Sequence, residues 1–292
     1  MKRNLLKLGI PKGSLQEATI KLFRKSGWKI DVNSRNYFPE IDDEDIQCSI
    51  CRAQEMSRYV ESGTLDVGLT GKDWTLENNS KVKVVADLVY SKVSQRPARW
   101  VLAVASNSRY KKPEDLKGKK IATELVNFTR RYFAERGIPV RVEFSWGATD
   151  AKIASGLADA VVEVTETGST IHAHGLKIIH ELMQSNTQMI ANRDAWRNPW
   201  KKEKMKEIVL LLQGAMRAEK MVGLKMNIPE GKLKELVAHL PSLNAPTVAP
   251  LYNSDWFSVE TVVEEAQVRE LIPRLIKKGA QGIIEYPLNK VI

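Results

Sequence analysis

Cysteine and histidine are scarce, with two cysteines and four histidines among the 292 residues. Cys48 and Cys51 have the CxxC spacing of redox motifs and of half a zinc site, but no second pair exists and the histidines lie far away in the sequence. The segment around them alternates like a strand, which directs the two sulfurs to different faces. We therefore expect two reduced structural cysteines, as is usual in a reducing compartment.

Long apolar runs are also missing. No stretch approaches the ~20 apolar residues that a membrane-spanning helix needs. The N-terminal segment, whose short apolar stretch is broken by Lys7, lacks the apolar region and cleavage site of a signal peptide. These absences predict a cytoplasmic protein with no membrane partner. Low-complexity segments, a helix-turn-helix segment and a convincing catalytic triad are not evident either.

Acidic residues are the minority among the charged ones, with 35 Asp and Glu against 45 Lys and Arg and a net charge of +10. A nucleic acid, a phosphorylated small molecule or simply a basic solvated surface would account for this excess. The basic residues are scattered rather than clustered, which disfavours nucleic acid as a partner. With 43% hydrophobic and 27% charged residues, the composition is that of an ordinary globular chain.

Strand-like and helix-like segments alternate along the chain, which predicts βαβ units around largely parallel sheets. The pattern restarts near Ala98, so we expect two similar α/β lobes with a ligand cleft between them. After a helical connector, the last segment has the βαββαβ order of ferredoxin-like domains. The predicted division is residues 1–97 plus about 186–217 for lobe I, 98–185 for lobe II and 218–292 for a C-terminal domain.

The segment "DAVVEVTETGSTIHAHGL" combines acids with a cluster of small hydroxylated residues. Glu163 and Glu166 are followed at once by Thr167, Gly168, Ser169 and Thr170. Backbone N–H groups and hydroxyls in such a turn bind phosphate, and carboxylates accept hydrogen bonds from sugar hydroxyls or hold Mg²⁺. A ribose 5-phosphate would satisfy both ends. A helix N-cap with acids in its first turn explains the pattern equally well.

This segment resembles the phosphoribosyl-diphosphate signature of the ATP phosphoribosyltransferase family, whose reaction is the first step of histidine biosynthesis. Further similar segments occur in the family's order: "IPKGSL", "DVGLTGKDW", "KIATELVNFTRRYF" and "FSWGATDAK". The segments "LPSLNAPTVAPL" and "KKGAQGIIEYPLNKVI" resemble the regulatory domain of the family's long form. The resemblance covers essentially the whole chain. It implies a two-lobed, periplasmic-binding-protein-like catalytic core with a C-terminal ACT-like domain.

The resemblance also implies a reaction, in which N1 of the ATP adenine displaces pyrophosphate from phosphoribosyl diphosphate, with Mg²⁺ held mainly through substrate phosphates. Glu163 and Glu166 would hold the ribose hydroxyls, and Thr167, Gly168, Ser169 and Thr170 would bind the 5-phosphate. The family usually has Asp where Glu163 stands, which leaves the role of this residue open. No side chain is assigned as a nucleophile or base.

Residues at the ends of other strands are assigned to ATP or pyrophosphate. They are Lys12, Arg52, Thr70, Gly71, Lys72, Asp73 and, as a weaker candidate, Glu124. Lys12 has the alternative of a surface lysine in a turn. Many relatives have Arg at the position of Ser14, so a guanidinium contact there is absent. His172 and His174 form an HxH pair without a nearby third ligand, and we expect both on a helix surface.

In the C-terminal domain, the resemblance implies feedback inhibition by histidine. The matching positions are Asn227, Leu243, Thr247 and Gly282, although a core role for Leu243 and strand-end roles for the polar residues are alternatives. The family's long form is typically a hexamer, so a homo-oligomer is expected. Two other hypotheses remain: a cleft-type small-molecule sensor without catalysis, and a nucleic-acid binder that uses the basic charge.

Overall fold

The computed structural model describes residues 4–32, 37–90, 97–147, 149 and 151–292. These residues form two compact units. The first comprises Trp28–Val209 with the N-terminal segment up to Lys21, and the second comprises Leu22–Gly27 with Leu210–Ile292. Within the described part of the chain, no helix is both long and apolar enough to cross a membrane.

The first unit begins with a five-stranded sheet, which we call lobe I. Its strands are β1 (Leu6–Lys12), β4 (Ile46–Arg52), β5 (Val67–Gly71), β6 (Lys83–Leu88) and β12 (Thr187–Ala191), in the order β4-β1-β5-β12-β6. The helices are α1 (Gln16–Ser26), whose residues from Leu22 onward belong to the second unit, α2 (Ala53–Glu61) and α3 (Lys72–Glu77). Strand β2 (Ile30–Asp31) pairs with β3 (Glu40–Ile41). Strands β4, β1 and β5 are parallel, whereas β12 runs antiparallel to β5 and β6. The parallel strands therefore end at the same edge.

A second five-stranded sheet forms lobe II of the same unit. Its strands are β7 (Ala98–Ala105), β8 (Lys120–Thr123), β9 (Arg141–Phe144), β10 (Ala160–Thr165) and β11 (Leu176–Ser185), in the order β11-β7-β10-β8-β9. The helices are a 3₁₀ turn (Pro113–Leu116), α4 (Val126–Ala134), α5 (Ala151–Ala154) and α6 (Ser169–Ala173). Strands β10, β8 and β9 are parallel and β7 is antiparallel to both of its neighbours. Alternate residues of β7 enter different cores, as the period of a strand requires: Leu102 packs with Phe133, and Val101 with Ile171.

Two helices follow lobe II, α7 (Arg193–Arg197) and α8 (Pro199–Ala218). The second unit then contains β13 (Met221–Pro229), α9 (Glu230–Val237), β14 (Thr247–Pro250), β15 (Trp256–Glu264), α10 (Glu265–Lys277) and β16 (Gln281–Pro287). Its sheet is antiparallel, in the order β14-β15-β13-β16. Apolar residues of β13 and β15, such as Leu224 and Val259, are fully buried in one core with residues of both helices. This is the ferredoxin-like arrangement.

The predicted two-lobed α/β core with a ferredoxin-like C-terminal domain is confirmed. The differences concern lengths and pairings: the segment "LKIIHEL" predicts a strand over residues 176–182, whereas β11 continues to Ser185, and β12 has no counterpart among the predicted elements. The segment "ATDAKIASG" predicts a short helix, and the structure has one at Ala151–Ala154; residues 148 and 150 of that segment lie outside the described part.

Candidate active site

The two acids of the lobe II loop occupy different positions. Glu163 lies within β10, opposite Val101 of β7, and its carboxylate accepts a hydrogen bond from the backbone N–H of Val164 at 3.2 Å. Glu166 follows the strand and is partly buried. The first turn of α6, which begins at Ser169, contains no acid. The acids therefore precede the helix, which disfavours the explanation that they serve its first turn.

The hydroxyl cluster forms a turn with internal hydrogen bonds. Gly168 has φ +86°, and its N–H donates to Thr165 Oγ1 at 2.8 Å, while the hydroxyls of Thr167 and Ser169 are 2.9 Å apart. A Cβ at Gly168 would lie 3.3 Å from Ile178 Cδ1, so both the backbone angle and the space favour glycine. The side chains of Thr167, Ser169 and Thr170 are exposed. This turn, which we call the hydroxyl loop (Thr167–Thr170), thus presents hydroxyl groups to solvent on a fixed backbone.

Two basic residues meet at the edge of lobe I. Lys12 and Arg52 are register partners in the last positions of β1 and β4. Lys12 Nζ donates to the Tyr37 hydroxyl at 3.3 Å and lies 4.4 Å from the centroid of that ring. The guanidinium of Arg52 is exposed beside the turn at Gly13, where a Cβ would be 4.0 Å from Nη1. The edge therefore has two neighbouring cations, as the sequence predicted from strand ends.

The four predicted residues between β5 and α3 differ in exposure. Thr70 is fully buried and its hydroxyl donates to the Ala53 carbonyl at 2.7 Å. Gly71 is buried because the Asp73 carboxylate folds back over it: a Cβ there would lie 2.0 Å from Asp73 Oδ1. Lys72 is exposed. Of the four residues, only Lys72 has a side chain that is open to a ligand in this arrangement.

Asp73 is buried, with 7% of its surface exposed, and reaches into lobe II. Its Oδ2 accepts a hydrogen bond from Trp100 Nε1 at 2.7 Å, and its backbone N–H donates to Ser185 Oγ at 3.2 Å. Burial raises the pKa of the carboxyl, and these hydrogen bonds oppose that rise. The side chain therefore joins the lobes and does not point at solvent.

Glu124 lies just after β8 in lobe II. Burial raises the pKa of its carboxyl above the ordinary value, a hydrogen bond from the backbone of Gly147 lowers it, and the Asp73 charge raises it further. Glu124 and Asp73 are thus close enough to interact electrostatically, although they belong to different lobes. A half-buried carboxyl with a perturbed pKa is a typical feature of functional sites.

The contact between Asp73 and Trp100 brings the two predicted edges together. Trp100 is the register partner of Val164 near the carboxyl end of β10, and Asp73 follows the carboxyl end of β5. The strand-end edges of lobe I and lobe II therefore meet at this contact. Trp100 was not among the predicted site residues, because an indole in an apolar strand carries no local sign of a partner in another lobe.

Metal-binding potential is limited in the protein alone. Among the described residues, no three or more His, Cys, Asp or Glu side chains form a group that could hold a metal ion. His172 and His174 are both exposed at α6, as expected. Cys48 is buried and Cys51 half-buried, and both are free thiols. Mg²⁺ typically binds one or two carboxylates together with water and substrate phosphates. The acids at the lobe II edge could supply those carboxylates.

The predicted histidine-site residues do not all meet. Asn227 of β13 is close to Gly282 of β16, where φ is +57° and a Cβ would lie 3.3 Å from Asn227 Nδ2. Thr247 is exposed at the start of β14, opposite Glu260 of the intervening strand β15. Leu243 lies between α9 and β14 and is 45% exposed, which excludes a core role.

Known proteins with similar sequences account for almost the whole chain. A family model described as "ATP phosphoribosyltransferase" matches residues 52–214, and one described as "HisG, C-terminal domain" matches residues 218–290. The chain belongs to the ATP phosphoribosyltransferase family. Among its relatives, the ATP phosphoribosyltransferase of Solidesulfovibrio magneticus is 71% identical over 289 residues, which is 99% of both chains. That of Desulfosudis oleivorans is 68% identical over 288 residues, also 99% of both chains.

A solved structure of the family shares the fold. It is described as the ATP phosphoribosyl transferase (HisG:HisZ) complex from Thermotoga maritima, and the match has a TM-score of 0.62 and 28% identity. It covers 99% of that chain but 72% of this one. The present chain is therefore longer than that family member, and it has the length and C-terminal domain of the long form of ATP phosphoribosyltransferases.

Proposed function

We propose that this chain transfers the phosphoribosyl group of phosphoribosyl diphosphate to N1 of the ATP adenine and releases pyrophosphate, as the first step of histidine biosynthesis in the cytoplasm. The observation that carries the proposal is that two chemically different edges meet at the Asp73–Trp100 contact: cations on lobe I and carboxylates with hydroxyls on lobe II. Membership of the family supplies the reaction. On this proposal, residues 1–97 with about 186–217 and residues 98–185 are the two catalytic lobes.

Lobe II would bind the ribose 5-phosphate part of the donor. Carboxylates accept hydrogen bonds from hydroxyls, so Glu166 would hold the ribose diol. Glu163, one methylene longer than the Asp usual in the family, would assist it where its carboxylate reaches the sugar. The hydroxyl loop (Thr167–Thr170) would donate to the 5-phosphate. Its hydrogen bonds from Gly168 to Thr165 and between Thr167 and Ser169 support this role, because they fix the backbone before a ligand arrives.

Lobe I would bind the phosphate chains. Lys12, Arg52 and Lys72 lie at the carboxyl ends of β1, β4 and β5, where their charges favour pyrophosphate and the phosphates of ATP. As the bond from the anomeric carbon to pyrophosphate lengthens, positive charge develops on the ribose and negative charge on the leaving group. The carboxylates of lobe II and the cations of lobe I would each stabilise one of these charges.

No covalent nucleophile is needed, because adenine N1 has a lone pair that can attack the anomeric carbon directly. The protein's task is then the alignment of the two substrates, an effect that can supply several kcal/mol, up to about 10, of the rate acceleration. Glu124, near the junction of the lobes, would contact the nucleotide. Glu163 or Glu166 could provide a carboxylate ligand for Mg²⁺ held mainly through the substrate phosphates, and the ion would supply neutralisation of phosphate charge.

Residues 218–292 would form a regulatory domain that binds histidine. The proximity of Asn227 and Gly282 supports a small polar site on this sheet, with Thr247 and Leu243 as exposed neighbours. Inhibition would require that histidine bind the assembled states of a homo-oligomer, a hexamer by resemblance, with different affinities.

The test is a direct assay. Purified protein is mixed with ATP, phosphoribosyl diphosphate and Mg²⁺, and pyrophosphate release and the ultraviolet absorbance of the product are followed. We expect turnover that requires all three components and decreases on addition of histidine. If both substrates bind but no turnover occurs, the protein is a sensor. Salt-sensitive binding to DNA or RNA without turnover would instead support a nucleic-acid partner.

A further inference from the structure

The short helix α3 of lobe I is attached to lobe II at both of its ends, and the later end includes a bond from the Arg131 guanidinium of α4 to the Leu76 carbonyl. The first attachment is at Asp73, whose carboxylate accepts from Trp100 Nε1 of β7 at 2.7 Å and whose backbone N–H donates to Ser185 of β11 at 3.2 Å. The rings of Trp74 and Trp100 also meet edge to face, with centroids 6.4 Å apart. This attachment lies where the chain passes from lobe II back to lobe I, between β11 and β12.

The second attachment is made by Glu77, which is 8% exposed. Its two carboxylate oxygens accept hydrogen bonds from the backbone N–H groups of Asn127 at 2.9 Å and Phe128 at 2.8 Å. Both groups belong to the first turn of α4, whose own N-cap residue Leu125 provides no side-chain cap. A carboxylate at a helix N-terminus is favoured by charge-assisted hydrogen bonds and by the helix dipole. Glu77 thus caps a helix of the other lobe.

Two attachments restrict motion more than one does. Asp73 and Glu77 are four residues apart, or roughly 6 Å along a helix axis. A single bond beside the interlobe connection would allow the lobes to rotate around it, and a second bond at this distance opposes that rotation. The first attachment alone would therefore act as a pivot. The bonds from α4 to Glu77 and to the neighbouring Leu76 carbonyl make the pair of attachments a clamp.

The clamp joins elements that carry candidate ligands. Lys72 begins α3 on the lobe I side, and Glu124 directly precedes α4 on the lobe II side. We propose that Glu77 is a positioning residue: by holding α4 against α3, it fixes the two lobes at the separation that aligns adenine N1 with the anomeric carbon. The inference rests on the proposed function, in which the two reacting substrates contact different lobes.

Glu77→Gln tests the proposal, because the amide keeps the size but can accept at only one of its two terminal atoms. Misalignment of about 1 Å can cost two orders of magnitude in rate, so we expect the single-turnover rate to fall about 30- to 100-fold. The dissociation constant of each substrate, measured alone by calorimetry, should change less than about threefold, because each binds mainly to one lobe. Loss of stability alone would not produce this separation of rate from binding.

The matched control is Asp66→Asn. Asp66 is also buried at 7% exposure, and its carboxylate accepts from the Lys7 backbone N–H at 2.9 Å and from Lys201 Nζ at 2.7 Å, without reaching lobe II. This variant should lose melting temperature to a similar extent while the single-turnover rate of the folded protein stays within about twofold of wild type. An equal loss of rate in both variants would overturn the proposal, as would an unchanged rate in Glu77→Gln.

A distance measurement decides the same question without activity. Spin labels at Ser62→Cys in lobe I and Asn107→Cys in lobe II report the interlobe distance, and Glu77→Gln should broaden its distribution whereas Asp66→Asn should not. An unchanged distribution overturns the clamp even if the wild-type protein turns over. Broadening without wild-type turnover would instead contradict the proposed function. If Glu77→Gln does not fold, Trp100→Phe removes the bond at the other attachment and should broaden the distribution in the same way.

Discussion

The two edges of the cleft have the same local architecture and opposite chemistry. In each lobe, parallel strands end in turns that lead into helices. Lobe I places Lys12, Arg52 and Lys72 there, whereas lobe II places Glu124 and Glu166 with the hydroxyl loop. Because the strand ends of one sheet lie side by side, the fold places several residues next to one another at each edge. The side chains at those positions make one edge basic and the other acidic. A donor with a diphosphate on one side of its sugar and hydroxyls on the other matches this division.

The edges also differ in how they are held before a ligand binds. The hydroxyl loop of lobe II is fixed by hydrogen bonds within its own turn, at Gly168 and Ser169. Lys12 of lobe I rests on Tyr37, and the Arg52 guanidinium is exposed. On the proposed function, we therefore expect lobe II to hold its ligand in one pose and the long basic side chains of lobe I to adjust to the phosphate groups.

The largest effect is expected from replacing Glu166, an acid of the lobe II edge that has no equivalent at the basic edge of lobe I. Glu166→Gln should lower kcat/KM for phosphoribosyl diphosphate about 100-fold, because hydrogen bonds to a charged group typically contribute about 1.5–3 kcal/mol. Steady-state kinetics and thermal melting check this, with Glu135→Gln as the control at an exposed acid of the same lobe. Parallel losses of activity and melting temperature would assign Glu166 to the fold instead.

A smaller effect is expected at the basic edge. Arg52→Gln should raise the KM for ATP or weaken inhibition by pyrophosphate about 10- to 30-fold, and Arg52→Lys should recover part of the loss, since a lysine keeps the charge but not the bidentate geometry. Arg58→Gln, at an exposed position of α2, is the control. If Arg52→Gln instead weakens only the binding of the 5-phosphate of phosphoribosyl diphosphate, the assignment of that phosphate to lobe II is wrong.

Much of this comparison was predictable because strand ends are visible in the sequence. The segment Lys120–Thr123 predicts a short strand, and β8 has the same bounds; the acid-hydroxyl cluster can be located from residue types alone. The βαββαβ order was also readable, because local periodicity distinguishes strands of period 2 from helices of period 3.6. The assignment of substrate, in contrast, depended on resemblance: the residues themselves left a sugar phosphate and a capped helix open.

Pairings between distant segments were not predictable. Strand β12 inserts between β5 and β6, a partnership over more than 100 residues of chain that no local pattern records. The orientation of Asp73 is a similar case: as a polar residue after a strand it was assigned to ligand binding, but it turns inward to the indole of Trp100. Glu77 has an ordinary helical context, and only the tertiary structure shows that it caps a helix of the other lobe.

The proposed histidine site of the C-terminal unit can be tested at Asn227. Asn227→Ala should weaken histidine binding about 10-fold, as expected for the loss of one or two hydrogen bonds in a small polar site. Calorimetric titration of the full chain with histidine measures this, and Glu270→Gln on the exposed face of α10 is the control. Undiminished binding would show that histidine binds elsewhere, for instance in the cleft of the lobes.

The smallest effect is expected in the chemical labelling of Cys48 and Cys51, the two cysteines of β4, the strand that ends at the basic edge. We expect neither thiol to react in the folded protein. Cys51 immediately precedes Arg52, and a strong positive field there would lower the pKa of the thiol and make it reactive. Instead, burial, and then the charge of Glu55, raise the pKa of Cys51 to about 12. Burial, and then the charge of Asp43, likewise raise that of Cys48 to about 12.

At pH 8 about one thiol in ten thousand would therefore be ionised, against roughly a quarter of ordinary cysteines. Since alkylation requires the thiolate, iodoacetamide should leave both residues unmodified in the folded protein and modify both in denaturant, as measured by mass spectrometry. Rapid labelling of Cys51 alone in the folded state would mean that the cations of lobe I act on the strand itself. The absence of labelling in the folded protein is the result expected if burial controls the reactivity of both thiols.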